Sequence, residues 1–356
     1  MMNKVLIGLS GGVDSAVSAL LLKKAGYEVT GCRLILNDTS AQPEEDRCAR
    51  DAADKLGIEL ITADFRKEFK KNVSEHFVSE YLNGRTPNPC VRCNPTVKFA
   101  SLKKVADENG FPFIATGHYA LIHKDEATGL CAIKTSPSKK DQSYFLYRLG
   151  QDILQRVFFP LGGFSSKDEI RSIGRAAGFE SAEKKDSQEV CFIPDDDYAG
   201  YIRRAAGLEP VPGDFISPDG SVIGRHNGVI YYTVGQRKGL GAFGEPRYVK
   251  SINAKDNTVT LCKADERFAD IAVIKDVFWT FRKAPESGKT FGVKIRSTAK
   301  AVPASLEMNG ESVTIHFSAP VMAPCPGQSA VIYDGDVVIG GGEIINSEFG
   351  IRNSGL

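Results

Sequence analysis

The chain opens on an apolar run, "KVLIGL", which ends in a glycine-rich turn. It passes into "SAVSALLLKKAG", whose apolar residues recur at helical spacing as far as Gly26. The same alternation then repeats. "EVTGCRLIL" predicts a second strand, "PEEDRCARDAADKLG" a helix with Pro43 near its start and Gly57 at its end, and "IELITADF" a third strand. "NPTVKFASLKKVADENG" predicts a helix with Asn94 as N-cap and Pro95 at the first helical position, and "FPFIATGH" a strand that runs into a polar loop. Strands alternating with helices imply a parallel sheet covered on both faces. From about Gly207 the pattern changes. "GVIYYTVGQ", "RYVKSINAKDNTVTLCKA", "KTFGVKIRS", "SVTIHFSAP" and "SAVIYDGDVVIGGGEII" read as short strands joined by Gly, Asn-Gly and Asp-Gly turns, the pattern of small β-barrels. The expected architecture is an α/β N-terminal domain over 1–205, a β-rich domain over 206–272 and a C-terminal β-barrel over 273–356, the second boundary being a soft one within 269–275.

At 356 residues each of these domains can bury a core of its own. The balance of 45 basic to 44 acidic residues excludes a global polycation, so affinity for nucleic acid has to come from local patches. One such patch runs from Gly224 to Lys250: Arg225, Arg237, Lys238, Arg247 and Lys250 face only Glu245, with Tyr231, Tyr232, Phe243 and Tyr248 interleaved. That composition suits RNA backbone and stacked bases, and equally a solvated barrel face. No apolar run approaches the roughly 20 residues that span a bilayer, and the first strand follows no signal-peptide pattern. The expectation is a cytoplasmic protein without membrane attachment, whose eight cysteines are thiols unless they bind metal or do redox chemistry.

"GLSGGVDS" (Gly8, Leu9, Ser10, Gly11, Gly12, Val13, Asp14, Ser15) joins the first strand to the first helix. Paired glycines let the backbone turn tightly and aim N–H groups at an anion, and the helix N-terminus adds its positive end. The stretch lacks the lysine of a Walker loop. Its spacing resembles the PP-loop of the ATP pyrophosphatase superfamily, in which ATP is split between its α and β phosphates. On that resemblance Asp14 can hold Mg²⁺, and Ser10 and Ser15 can bond the pyrophosphate. "GLGAFG" (Gly239 to Gly244) matches a dinucleotide-binding pattern, but Pro246 and strand-like residues follow where a helix has to start, so that reading fails.

"TPNPCVRCN" holds two cysteines three apart. A zinc site needs four ligands, and no second C-x-x-C exists; the zinc-deaminase reading lacks its H-x-E. Cys93, just before the expected N-cap Asn94, would feel the helix dipole and ionise below about 8.5. Cys191 lies in "KKDSQEVCFI", after a basic pair and before an apolar one, where a buried core cysteine is the alternative. Cys32, Cys48, Cys131, Cys262 and Cys325 read as small apolar fillers.

These blocks, with "GRTPNPCVRCN", "ATGHY", "KKDQSYFLY", "YYTVGQRKGLG" and "PGQSAVIYDGDVVIGGG", follow one another in the order of the bacterial tRNA-specific 2-thiouridylases, and the chain resembles that family from about residue 4 to residue 346. The resemblance implies an adenine nucleotide alpha hydrolase-like N-terminal domain and ATP-dependent 2-thiolation of the wobble uridine of tRNA. ATP would be held by Gly8 to Ser15 with Leu34 and Gly117. Cys191 would carry a persulfide received from a sulfur donor protein, and Cys93 would close a disulfide with it as sulfur is released. Asn88, Pro89 and Cys90 match the segment that faces the target base; His118, Lys140, Asp141, Gln142 and Gln328 match tRNA contacts. Three positions depart from the family. Cys90 stands where an aspartate acting in acid–base chemistry is common, Pro95 where lysine is common, and Arg296 with Ser297 where a longer tRNA-contact motif is expected. Cys90 therefore leaves a second route open, a [4Fe-4S] cluster on Cys90, Cys93 and Cys191, and the departures also leave open an idle tRNA-binding paralogue.

Overall fold

The computed structural model describes residues 3–184, 190–286 and 288–348. Positions 185–189 of the "KKDSQEVCFI" motif lie outside the described residues. The N-terminal strands are β1 (Lys4–Gly8), β2 (Glu28–Ile35), β3 (Leu60–Asp64), β4 (Phe113–Ala115), β5 (Leu121–Lys124), β6 (Cys131–Lys134) and β7 (Val157–Phe158). A parallel sheet runs in the order β3-β2-β1-β4-β7. β1 is buried on both faces, as a central parallel strand must be. Val5 and Ile7 pack with the helices Val13–Lys24 and Gln42–Leu56, and Leu6 with Phe99 and Leu102 of the helix Phe99–Glu108. The helix Gln42–Leu56 closes on Gly57 in the left-handed conformation, φ +60, as its sequence predicts. The chain leaves β1 towards β2 on one side and β4 on the other, so the loops after β1 and β4 diverge and open a crevice at their carboxyl ends.

The helix expected to start at Asn94 starts six residues earlier. Asn88 is its N-cap, the side-chain oxygen accepting from the Val91 N–H at 3.4 Å, and Pro89 sits in the first turn. The backbone stays helical through Pro89–Cys93, a π-helical turn Asn94–Lys98, and Phe99–Glu108. Pro95, which cannot donate to a regular helical ladder, is accommodated at the start of the wider turn. Asn94 is buried within the helix, its amide donating to the Phe145 carbonyl at 3.0 Å.

The middle of the chain forms a four-stranded sheet of β8 (Gly213–Ile216), β9 (Val222–His226), β10 (Tyr248–Asn253) and β11 (Thr258–Cys262), ordered β10-β11-β8-β9. "GVIYYTVGQ" is not a strand. Ile230, Tyr232 and Val234 are buried alternately, which mimics one, but they serve two different cores and the backbone bonds close a single turn over Val229–Tyr231. The remaining strands, β12 (Phe268–Trp279), β13 (Thr290–Lys294), β14 (Val302–Asn309), β15 (Ser312–Met322), β16 (Ser329–Asp334) and β17 (Val337–Glu348), close a six-stranded barrel in which β12 pairs with both β15 and β17. β12 is one continuous strand across 269–275. The β5–β6 hairpin of the first domain adds to the barrel through β6, and Val331, Tyr333 and Val338 join the same core as Tyr144 and Tyr147. Among the described residues no helix is long and apolar enough to cross a membrane.

Candidate active site

The loop after β1 is built around Ser15. Its hydroxyl donates to the Gly12 carbonyl at 2.9 Å and accepts from the Ser10 N–H at 3.2 Å, so Ser15 lies beneath the loop and braces it. Gly11 requires its φ of +81, and a Cβ there would meet the Glu45 carbonyl oxygen at 2.3 Å. Gly117, after β4, packs against the loop so closely that a Cβ would lie 2.8 Å from the Asp14 backbone. No side chain caps the helix that begins at Val13, which leaves its first N–H groups to an anion. Asp14 accepts from the Tyr119 hydroxyl at 2.7 Å and forms an ion pair with Lys167. Buried Arg33 pairs with Glu45 at 2.8 Å and Asp46 at 2.6 Å, fixing the start of the second helix beside the loop.

A cavity of about 230 Å³ gathers Gly8, Leu9, Ser10, Asp14, Leu34, Gly117, His118 and Gln142. Leu34, Leu36 and Leu102 give it an apolar wall fit for a purine. A wider cleft of about 780 Å³ adjoins it, where Gly11, Gly12 and Val13 meet Lys140, Lys167 and Lys184. His118 is buried, bonded through Nδ1 to the Thr116 hydroxyl at 2.6 Å and stacked on Phe99; burial holds its ring well below the usual histidine range, hence neutral. Gln142 accepts from the Tyr119 N–H at 2.9 Å; Asp141 accepts from the Ser143 hydroxyl at 2.7 Å and pairs with Lys294 of the barrel at 3.6 Å.

The cysteine-bearing helix forms the next wall. Cys93 is buried, and Cys90 and Cys191 are exposed. The charges of Cys93 and Cys90 raise the Cys191 thiol. The low pKa expected of Cys93 is not found, because Cys93 lies inside the helix and not ahead of it. Burial raises its thiol and that of Cys90, and pushes Cys191 up to about 12, a rise that contact with water moderates; only Lys98 opposes it at each. All eight cysteines are free thiols. Among the described residues no three His, Cys, Asp or Glu side chains converge as metal ligands.

The remaining implied residues lie elsewhere. Asn88 spends its side chain on the helix cap and lines a separate cavity of about 200 Å³ with Arg92, Arg148 and Glu343. Gln328 donates to the Thr86 carbonyl at 2.8 Å, and the Thr86 N–H donates to the Pro326 carbonyl at 2.9 Å, so the barrel grips the start of "TPNPCVRCN". In the middle domain Tyr232 and Phe243 pack on Phe215 and Tyr248 carries Arg267; the interleaved aromatics are committed to packing, leaving Arg237 and Lys238 exposed. Lys98, Lys167, Tyr119 and Arg33 were not singled out from sequence. Lys167 had a readable signal, since Ser166 caps its helix and Glu169 follows three residues on.

These features define a nucleotide-binding α/β domain of the PP-loop type with a cysteine helix at its crevice and two β domains behind. Sequence profiles agree: "tRNA methyl transferase HUP domain" matches residues 3–195, "tRNA methyl transferase PRC-barrel domain" 202–263 and "Aminomethyltransferase beta-barrel domain" 269–344. The chain is 42% identical over 359 residues to the tRNA-specific 2-thiouridylase MnmA of Clostridioides difficile, covering 98% of this chain and 99% of the relative. It is 42% identical over 357 residues to the MnmA of Clostridium acetobutylicum, covering 97% and 100%. The chain belongs to the tRNA-specific 2-thiouridylase family. Among solved structures the U34-tRNA thiolase NcsA from Methanococcus maripaludis aligns at a TM-score of 0.36 and 19% identity, over 58% of this chain and 67% of that one.

Proposed function

We propose that this protein is an ATP-dependent sulfurtransferase that converts the wobble uridine of tRNA to 2-thiouridine. The observation that supports it best is that one crevice holds the phosphate loop, an apolar nucleotide cavity and, through the shared wall residue Lys98, the helix of Cys90 and Cys93. ATP would lie with its base against Leu34 and Gly117 and its phosphates on the loop from Gly8 to Ser15. Mg²⁺ would be held by Asp14 together with phosphate oxygens and would neutralise the departing pyrophosphate; the Lys167 ammonium on Asp14 marks that position as one suited to a cation. Attack of the uracil 2-oxygen on the α-phosphorus forms the adenylated base and releases pyrophosphate. A Cys191 persulfide, loaded by a persulfide-carrying donor protein, attacks C2 through its terminal sulfur and AMP leaves. The Cys93 thiolate then attacks the Cys191 sulfur, which forms the Cys93–Cys191 disulfide and leaves sulfur on the base. The 1–205 domain would do the chemistry, with 206–272 and 273–356 helping to hold tRNA. The persulfide route needs only Cys191 and Cys93, so no step is routed through a cluster.

The test is thiolation of unmodified wobble-uridine tRNA, read as retardation on a mercury-containing gel, with ATP-Mg²⁺ and a persulfide source. Cys93→Ala and Cys191→Ala should abolish thiolation and Cys90→Ala should retain it. Loss with Cys90→Ala would overturn the two-cysteine route, and no tRNA-dependent ATP turnover by the wild type would overturn the function itself.

A further inference from the structure

Four lysines, Lys98, Lys140, Lys167 and Lys184, line the crevice, and their surroundings differ. Lys167 is paired with Asp14 and Lys184 with Glu44 at 3.1 Å. Lys98, half-buried, makes no ion pair with a carboxylate among the described residues. A half-buried ammonium without a counter-charge is costly to keep, and such groups collect at functional sites. Lys98 also lines both the nucleotide cavity and the phosphate cleft. Its backbone explains how it reaches the sulfurs. Five residues along a regular α-helix, Lys98 would stand roughly 140° round from Cys93. The π-helical turn Asn94–Lys98 underwinds the helix and narrows that angle, bringing the ammonium towards the sulfur side.

We infer that Lys98 is the shared cation of the reaction centre, serving the sulfur anions on one side and the nucleotide phosphates on the other. Around it stand Cys90 and Cys93 on its own helix, His118 from the loop after β4, Cys191, and, lining the same two cavities, Asp14, Arg33, Glu44, Glu45 and the other three lysines. At all three thiols it is the cation that counters burial, and beside His118 it reinforces the neutral ring. A thiol next to such a cation ionises earlier and reacts faster near neutrality. The assignment deepens the thiolation reading and rests on it for the role of the sulfurs.

The test needs neither tRNA nor ATP, so its failure is separable from failure of that reading. The whole protein is alkylated with iodoacetamide across pH 6 to 10, and labelling at Cys93 and Cys191 is followed by peptide mass spectrometry for wild type, Lys98→Met and Lys98→Arg. Lys98→Met should move the rise in labelling up by about one pH unit, roughly tenfold slower labelling at neutral pH, and Lys98→Arg should follow the wild type. Cys262 and Cys325 are buried and should stay unlabelled; if Lys98→Met unmasks them, Lys98→Gln takes its place. Superimposed profiles for the three proteins would overturn the assignment. So would equal slowing in Lys98→Met and Lys98→Arg, which would make shape and not charge the cause. In the thiolation assay the same charge loss should raise the KM for ATP as well as lower kcat, a joint effect that a purely structural residue on the sulfur side would not produce.

Discussion

Gly327 gives the sharpest way to ask whether the barrel aims the cysteine helix. It has a φ of +91, and a Cβ built there would stand 3.0 Å from the nitrogen, carbonyl carbon and oxygen of Thr86. All three are backbone atoms, so no flexible side chain can yield. Thr86 is held by exactly the neighbours of Gly327, through the Pro326 carbonyl at 2.9 Å and the Gln328 amide at 2.8 Å. Gly327→Ala should therefore strain the left-handed backbone by about 1–2 kcal/mol. It should also weaken two hydrogen bonds worth about 1 kcal/mol each. Thr86 is two residues before the N-cap of the helix, so relief of the clash shifts Asn88 and Cys93 relative to the phosphate loop, and a misplacement near 1 Å costs about a hundredfold in rate. No barrel residue lines the phosphate cleft. The assay is thiolation on mercury gels beside the ATP Kd from calorimetry, with Gly335→Ala as control, since Gly335 has a φ of +60 but open space around it. The expected result is a fall in thiolation of ten- to a hundredfold for Gly327→Ala alone, with ATP affinity kept. Thiolation equal in the two variants would refute the clamp, and a matching loss of ATP binding would reduce it to general destabilisation.

Two further outcomes are expected. Lys167 lines the phosphate cleft, so Lys167→Met would remove a charged contact to phosphate worth about 1.5–3 kcal/mol and should weaken ATP binding ten- to a hundredfold by calorimetry; an unchanged Kd would dismiss Lys167 from the phosphate site. Cys32 is fully buried, and burial raises its thiol from 9.0 to about 12. The folded protein thus keeps a proton that the unfolded chain loses first, so this contribution is intact below pH 9 and declines between pH 9 and 12, by about 1.4 kcal/mol per pH unit. Urea unfolding at pH 8, 9 and 10 should show the wild type losing more stability than Cys32→Ala, and parallel curves would reject the assignment.

What could be read from the sequence is what depends on neighbours in the chain. The phosphate loop is a strand, two glycines and a helix start within a dozen residues, and the fold keeps that order. The alternation of β1 to β3 with their helices dictated the parallel sheet for the same reason. The N-cap was misread because two asparagine–proline pairs, Asn88-Pro89 and Asn94-Pro95, carry the same local signal; tertiary packing decided, by burying Asn94 against Phe145. "GVIYYTVGQ" failed differently, since alternate burial can come from two cores as well as from one sheet face. The contacts of Gln328 with Thr86 and of Lys167 with Asp14 join residues far apart in the chain, and no local pattern announces them.

The placement of the cysteine helix explains why a nucleotide domain should carry a barrel that does not line its phosphate cleft. Sulfur transfer to an adenylated base requires that one carbon be reachable both from the α-phosphate and from a sulfur, within the few tenths of an ångström that proximity catalysis tolerates. The phosphate loop is fixed by the sheet, through Leu9 bonding the Cys32 carbonyl at 2.8 Å and Gly117 seated on Asp14. The helix from Pro89 enters from a connection outside that sheet and would be free to tilt at its start. Its far end is anchored by Phe99 and Leu102 under β1, and its near end by Pro326 and Gln328. Held at both ends, the segment from Cys90 to Lys98 has little freedom except at the π-helical turn, where ladder bonds are least regular. The Cys191 sulfur comes from a separate stretch of chain, and that stretch is fixed to the helix as well, because Phe192 and Ile193 are buried in the same core as Cys93 and Val97.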